Sequence, residues 1–242
     1  MSDADIRFYF DPVCPFAWMT SKWVRIVQRQ RGYAVDWRFI SLRLVNADVD
    51  YDRHFPAGYE AGHTAGLRLL RVAAATRAQF GREATGRFYA AAGARIFDSP
   101  PDPDREHADG GYRGTREFAE AILADAGLPT ALADALDDEM FDMEIQRETD
   151  EALALTGKDV GTPIIQFQPP DGLAFFGPVI SRLPSESDAV RLWDHVVGLA
   201  SFPGFAELKR SLRETPQLRS FGVEPGQAGA EEDWQAGHRR MD

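Results

Sequence analysis

The chain has 242 residues, of which 44% are hydrophobic and 27% charged, and its formal net charge is −11. This composition indicates a protein with a sizeable core. The negative charge argues against a nucleic-acid or anionic-membrane partner, because both need a basic surface. A single cysteine excludes a disulfide within the chain. No apolar stretch approaches the ~20 residues that span a bilayer. Since the first residues also lack a signal-peptide pattern, we expect a cytoplasmic protein.

A strand, a helix and a second strand follow one another at the start of the chain. Residues 6–10 are a short apolar run that ends at an Asp-Pro pair, which predicts a buried strand. Apolar residues then recur at helical spacing from Pro15 to about Arg31, where Gly32 is the stop signal. Residues 35–39 alternate between apolar and charged side chains, as in a half-buried strand. We therefore predict a βαβ unit with parallel strands and a right-handed crossover.

The turn between this strand and helix contains the only cysteine. Pro15 suits the first position of a helix, which puts Cys14 at the N-cap, where the N–H groups of the first turn point at its sulfur. The partial positive charge of a helix N-terminus stabilises a thiolate. We therefore predict that the pKa of this thiol falls from ~8.5 into the range of roughly 3.5 to 7.5. The alternative is a buried cysteine that packs as a small hydrophobe.

The remaining chain separates into a helical block and a second region of sheet signals. A polar loop is predicted at residues 48–56, and residues 55–157 carry helical spacing and caps without a strand pattern. Two apolar runs around the turn at 169–172 predict a hairpin, followed by helices from Ser185 and over 205–212. We divide the chain into 1–54 and 158–213 as the two parts of one core, 55–157 as an inserted helical domain, and 214–242 as a polar, loosely ordered tail.

Several short motifs resemble those of a known family. They are residues 10–18, 41–46, 55–59, 160–163 and 175–178. Together they resemble the DsbA-like class of thioredoxin-fold proteins, and within it the mycothiol-dependent nitroreductases. The resemblance covers about residues 5–212 and implies an α/β, thioredoxin-like fold with a large all-helical insertion. It also implies a thiol-dependent oxidoreductase that uses a low-molecular-weight thiol, mycothiol, on a disulfide or an electrophilic acceptor.

The resemblance also implies roles for individual residues. Cys14 matches the nucleophilic cysteine, and Pro163 matches the cis-proline that faces it in this fold. The other residues implied for thiol and substrate binding are Pro15, Phe16, Trp18, Asn46, Tyr59, Gly161 and Thr162. Considered without the resemblance, Asn46 also suits a helix cap or turn, Tyr59 suits packing of the helical domain, and Trp18 suits the core.

Position 17 departs from the family pattern. Typical members carry a second, resolving cysteine there, whereas this chain has Ala17. The chemistry must then run through one sulfur, as a mixed disulfide that a second small thiol releases. The pattern from Asp11 to Trp18 is also similar to kappa-class glutathione transferases and hydroxychromene-carboxylate isomerases. In that alternative Cys14 stabilises the thiolate of bound glutathione. A third alternative is a non-catalytic protein that binds apolar ligands in a groove.

The histidines show no pattern of metal ligands. His54 and His63 are nine residues apart, and no second cysteine can assist them. We therefore expect no metal cofactor. The expected partners are a small thiol and a small electrophile or disulfide, and a homodimer stays open.

Overall fold

The centre of the structure is a mixed four-stranded sheet. The computed structural model describes residues 4–100, 110–157, 161–210, 212–235 and 238–239. The strand order is β2-β1-β3-β4, with β1 at Ile6–Phe10, β2 at Val35–Phe39, β3 at Ile164–Phe167 and β4 at Ala174–Phe176. β1 runs parallel to β2 and antiparallel to β3, and β4 runs antiparallel to β3. The two distant parts of the chain therefore meet along the β1–β3 pair.

Two helices pack on this sheet and complete the fold. α1 (Pro15–Arg31) connects β1 to β2, and it ends at Gly32, whose φ of 69° is in the left-handed region that favours glycine. α7 (Glu186–Ala200) follows β4 and packs on α1, where the rings of Trp23 and Trp193 meet edge to face at 5.5 Å. The βαβ unit (β1, α1, β2) and the ββα unit (β3, β4, α7) form one sheet because β3 pairs antiparallel with β1. This is the thioredoxin-like arrangement. The predicted fold class is confirmed.

Helices fill the chain between β2 and β3. They are α2 (Leu42–Val45), α3 (Tyr51–His54), α4 (Tyr59–Gly93), α5 (Arg116–Asp125) and α6 (Asp142–Thr156). Residues 55–100 and 110–157 contain no strand, in line with the predicted helical insertion. None of the helices in the described ranges is long and apolar enough to cross a membrane. Whether residues 55–157 form a separate domain stays a prediction.

Three segments differ from the sequence predictions. Residues 48–56, predicted as a loop, include the short helix α3. The helix predicted over 205–212 is wrong, since residues 205–210 are irregular. Leu208 is exposed there, so a helix would have no apolar face to bury, and short helices need such packing. The tail predicted to be loosely ordered contains a small antiparallel sheet of β5 (Leu212–Glu214), β6 (Glu231–Gln235) and β7 (His238–Arg239).

A buried ion network joins the helical insertion to the sheet. The side chain of Glu148 on α6 is only 3% exposed, and its carboxylate lies 3.3 Å from Arg38 on β2 and 3.1 Å from Arg77 on α4. Its second oxygen accepts the backbone N–H of Phe39 at 2.9 Å. Glu151, on the same helix, lies 3.0 Å from Arg38. One carboxylate thus fixes α6 to both β2 and α4.

Replacing Glu148→Gln is expected to lower the free energy of unfolding by about 3 kcal/mol, because it leaves two buried guanidinium groups without full charge compensation. Urea unfolding would measure the loss. The matched control is Glu144→Gln, which removes a 37% exposed partner of Arg77 and should cost no more than about 1 kcal/mol. Equal losses in the two variants would contradict this role for Glu148.

Candidate functional site

Cys14 lies at the N-cap of α1, as the sequence predicts. Its backbone is extended, with φ −86° and ψ 114°, and Pro15 occupies the first helical position. The backbone N–H of Ala17 donates to the Cys14 Sγ at 3.4 Å. At the first helical position proline loses nothing by lacking an N–H, and its fixed φ is already helical. The local sequence therefore directs the sulfur toward the open N–H groups of the first turn.

The loop before β3 faces this sulfur. The Cys14 thiol donates to the carbonyl of Thr162 at 3.4 Å, and the Thr162–Pro163 peptide bond is cis. The hydroxyl of Thr162 donates to the carbonyl of Tyr9 at 2.9 Å, which ties the loop to β1. Gly161 flanks this loop, and a Cβ there would lie 3.8 Å from Leu42. The structure thus brings together Cys14, Thr162 and Pro163, which are far apart in the chain.

Apolar side chains close the site around the sulfur. Cys14, Phe16 and Ala17 form a small buried cluster, with Leu42 and Val179 packed against it. Cys14 is 7% exposed and Phe16 is 9% exposed. The sulfur therefore has narrow access to solvent and an apolar surrounding on most sides.

This burial reverses the predicted direction of the pKa shift of the Cys14 thiol. Loss of solvent, with a smaller contribution from the nearby carboxylate of Asp11, raises the pKa of Cys14 to about 12. The backbone N–H groups of Ala17 and Phe16 lower the pKa, but by less than burial raises it. The predicted low thiol pKa is therefore wrong. In this structure the helix N-terminus points at a neutral thiol at pH 7.

Asp11 is a site residue that the sequence analysis treated only as part of a motif. It is fully buried, and its Oδ1 accepts the N–H of Val13 at 3.0 Å while its Oδ2 accepts the N–H of Leu42 at 2.7 Å. Burial raises the pKa of this carboxyl to about 7, against the two hydrogen bonds that lower it. An acidic residue directly after a buried strand and three residues before a cysteine was the available signal.

Trp18 and Asn46 make structural contacts. Trp18 lies in the main core cluster, apart from the small cluster around Cys14, and its indole N–H lies 3.2 Å from both carboxylate oxygens of Asp98. Gly93 on α4 admits this ring, because a Cβ there would overlap it. The Asn46 amide donates to the Leu42 carbonyl at 2.8 Å and caps α2. These contacts account for both residues without a ligand, and their predicted roles in thiol binding stay predictions.

Tyr59 belongs to a cluster of rings at the start of α4. Its ring stacks on Phe55 at 5.5 Å and meets His63 edge to face. Tyr59 is 45% exposed, whereas Tyr51 and His63 are buried and share a 2.9 Å hydrogen bond. Burial lowers the pKa of His63 to about 4, so this ring is neutral at pH 7. The role of Tyr59 in binding stays a prediction.

Comparison with known proteins shows which family the chain belongs to. Residues 13–210 match the sequence model of a family described as Rv2466c-like, mycothiol-dependent nitroreductase Rv2466c. The chain is 33% identical over 206 residues to the uncharacterized protein Rv2286c of Mycobacterium tuberculosis, covering 85% of this chain and 81% of that one. The chain belongs to the Rv2466c-like family. It is therefore a thiol-dependent oxidoreductase, and a low-molecular-weight thiol is its partner.

Two solved structures are similar in fold. A candidate protein-disulfide isomerase from Pseudomonas syringae has a TM-score of 0.46 and 17% identity, over 80% of this chain and 92% of that one. DsbL of Salmonella enterica serovar Typhimurium has a TM-score of 0.43 and 15% identity, over 83% of this chain and 89% of that one. In the described residues of this Rv2466c-like chain, no group of three or more His, Cys, Asp or Glu side chains forms a metal site.

Cys14 in the folded protein is expected to react slowly with iodoacetamide. Because alkylation needs the thiolate, a pKa of about 12 should make the rate at pH 8 at least about tenfold lower than that of an ordinary thiol. An intact-mass time course would measure it, with the same chain unfolded in urea as the control. Equal rates for folded and unfolded protein at pH 8 would contradict both the burial of this thiol and its raised pKa.

Proposed function

We propose that this protein is a mycothiol-dependent oxidoreductase in which Cys14 forms a mixed disulfide with the small thiol. The observation that carries the proposal is the position of the sulfur, at the N-cap of α1 and 3.4 Å from the Thr162 carbonyl. Membership of a family described as mycothiol-dependent supports mycothiol as the thiol. Since the chain has one cysteine, every disulfide that it forms links it to another molecule.

The proposed cycle moves two electrons through one sulfur. The Cys14 thiolate attacks one sulfur of a small disulfide, so that the substrate S–S bond breaks as the new one forms, and one thiolate leaves. A second small thiol then attacks the mixed disulfide and regenerates Cys14. For a nitro acceptor the electrons balance in the same way: two thiols become one disulfide while the nitro group becomes a nitroso group and water.

The first turn of α1 supports the charged step of this cycle. The N–H groups of Phe16 and Ala17 lower the pKa of Cys14, and they stabilise negative charge on sulfur wherever it develops. The resting thiol is neutral because it is buried, so its proton leaves only as the attack proceeds, to solvent or to the departing thiolate. Binding of the small thiol must therefore meet the cost of forming the thiolate.

Residues around the sulfur are suited to hold the thiol. Pro15 and Phe16 line the helix side, and Gly161, Thr162 and Pro163 form the opposing loop, next to Cys14. The exposed ring of Tyr59 and the cap residue Asn46 lie on the adjoining helices α4 and α2. We assign the sulfur-bearing part of mycothiol to the loop side, next to the Cys14 sulfur.

A second candidate function is a kappa-type transferase or isomerase. The raised pKa of Cys14 favours it, because a neutral thiol can donate a hydrogen bond to the thiolate of a bound cofactor. In this alternative Cys14 never becomes covalently modified, and serine can replace it. The two candidates therefore differ in what happens to the mass of the protein and in the effect of one substitution.

Incubation with mycothiol disulfide should add one mycothiol to the wild-type protein, seen by intact mass and reversed by excess thiol. Cys14→Ser should show no adduct and lose at least about 100-fold in thiol-dependent reduction, because the attacking atom is gone. If the Cys14→Ser variant keeps most of the turnover, this proposal is contradicted and the kappa-type transferase or isomerase is supported. Parallel incubation with glutathione disulfide shows whether the protein forms its adduct with mycothiol, with glutathione or with both.

Ala17→Cys should restore the missing resolving cysteine. Position 17 is in the first turn of α1, with its N–H 3.4 Å from the Cys14 sulfur. We expect the variant to expel the bound mycothiol and form an internal disulfide, so that the adduct disappears and the chain loses two hydrogens. Ala17→Ser is the matched control and should retain the adduct. An adduct that persists equally in both variants contradicts the proposed resolution by a thiol at position 17.

A further inference from the structure

The buried carboxylate of Asp11 connects the two sides of the thiol site. Its two oxygens accept the N–H of Val13, the residue before Cys14, and the N–H of Leu42, whose side chain packs on Cys14. The carbonyl of Asp11 also accepts the N–H of Cys14 at 3.1 Å. A change at this one residue therefore acts on the cysteine, on the turn before it and on the helix that covers it.

Within the part of the chain that the structure describes, the carboxylate of Asp11 forms no ion pair. Among the described residues, no Lys, Arg or His nitrogen lies within 4.0 Å of it, unlike the buried carboxylates of Asp36 and Glu148, which pair with arginines. Its contacts are two backbone N–H groups in a fully buried position. A buried carboxylate charge of this kind is costly. In the low-dielectric interior its repulsion of a neighbouring thiolate is only weakly screened.

We propose that Asp11 is a positioning residue that modulates the reactivity of Cys14: its carboxylate holds the two walls of the site together, and its negative charge adds to burial in disfavouring the thiolate. The inference rests on the proposed function only in taking Cys14 as the reacting atom. Asp11 does not touch the substrate; it acts through the sulfur and its surroundings.

Helix α4 is built to accept this carboxylate. Gly66 lies against it, and a Cβ at that position would be 2.7 Å from Asp11 Oδ1 and 2.8 Å from Val13 Cγ2. Both distances are shorter than real Cβ contacts allow, so a side chain at 66 must displace Asp11 or Val13. Gly62, one turn earlier on the same helix, has open space at its Cβ position. The two glycines provide a matched pair of test sites.

Several other ionisable groups lie on the elements that surround Asp11. They are Cys14 on the same turn, Tyr51 on α3, Tyr89 and His63 on α4, and Arg43 on α2. Burial raises the pKa of both tyrosines above its ordinary value and lowers that of His63 to about 4. Arg43 is paired with Glu60 at 3.2 Å. Among the groups here whose pKa is shifted, Asp11, at about 7, is the one that titrates between pH 5 and 9.

Asp11 ionisation predicts a particular pH profile for Cys14. Below about pH 7 the carboxyl is protonated, and thiolate formation rises about tenfold per pH unit. From about pH 7 the carboxylate repels the thiolate, so the rise is shallower over a short pH range and then returns to about tenfold per pH unit at a lower level. Asp11 and Cys14 titrate as a coupled pair, so the inflection in the pH profile is a property of both groups together. A purely structural role for Asp11 produces no such inflection.

The test is the rate of Cys14 alkylation by iodoacetamide from pH 5 to 10, in the wild type and in Asp11→Asn. The wild-type profile should bend near pH 7, and the variant should give a straight profile with at least about threefold faster reaction at pH 8, equivalent to half a pKa unit. A rate raised by one factor at every pH, with the bend retained, would overturn the proposal. So would an unchanged profile.

A second pair of variants covers the case in which Asp11→Asn does not fold. Gly66→Ala leaves the charge in the chain but displaces it, and should raise the alkylation rate at pH 8 at least about threefold and weaken the bend. Gly62→Ala should stay within about twofold of the wild type. A folded Gly66→Ala protein with the wild-type profile contradicts the inference. Because iodoacetamide needs no mycothiol, a failure of the mixed-disulfide experiment leaves this outcome independent.

Discussion

The contact between the Cys14 sulfur and the Thr162 carbonyl depends on the antiparallel pairing of β1 with β3. In that register Tyr9, next to the end of β1, lies opposite Ile164 at the start of β3. The residues that follow β1 and those that precede β3 must therefore emerge at the same edge of the sheet. The cysteine turn and the Thr-Pro loop meet there, although 148 positions separate them. A different strand order would leave Cys14 without its opposing wall, even with an intact α1.

The helical insertion determines how closed this edge is. α2 begins just beyond β2 and brings Leu42 over the sulfur, while α4 presents Gly66 to Asp11. α6 is held in place by the buried Glu148, whose arginine partners come from the sheet and from α4. Buried ion pairs of this kind contribute little net stability, because desolvation offsets their attraction. Their main effect here is to fix the orientation of α6, and with it the cover over the site.

The sequence predicted the parts of this structure that depend on local signals. The βαβ unit, the position of Cys14 at the N-cap and the hairpin follow from periodicity, Pro15 and turn residues; the placement of Pro163 opposite the cysteine came from the family resemblance. The pKa of Cys14 could not be predicted in this way. The helix N-terminus is visible in residues 14–17, whereas the burial that outweighs it comes from Leu42 and Val179, which only the tertiary structure brings close. The same limitation hid Asp11, whose partners are backbone groups.

Burial has a further consequence for a site with a single sulfur. A thiol pKa near 12 means that forming the thiolate costs about 4 kcal/mol more than in an ordinary thiol, whereas a mixed disulfide carries no charge and is not penalised. In disulfide exchange the thiol of lower pKa leaves faster, so attack on the mixed disulfide expels the small thiol more readily than Cys14. The adduct therefore persists until the site opens or the repulsion from Asp11 is relieved. Formation of the Cys14 thiolate therefore slows both its attack on a small disulfide and its later release, whereas a resolving cysteine at position 17 would expel the small thiol and leave Cys14 in an internal disulfide.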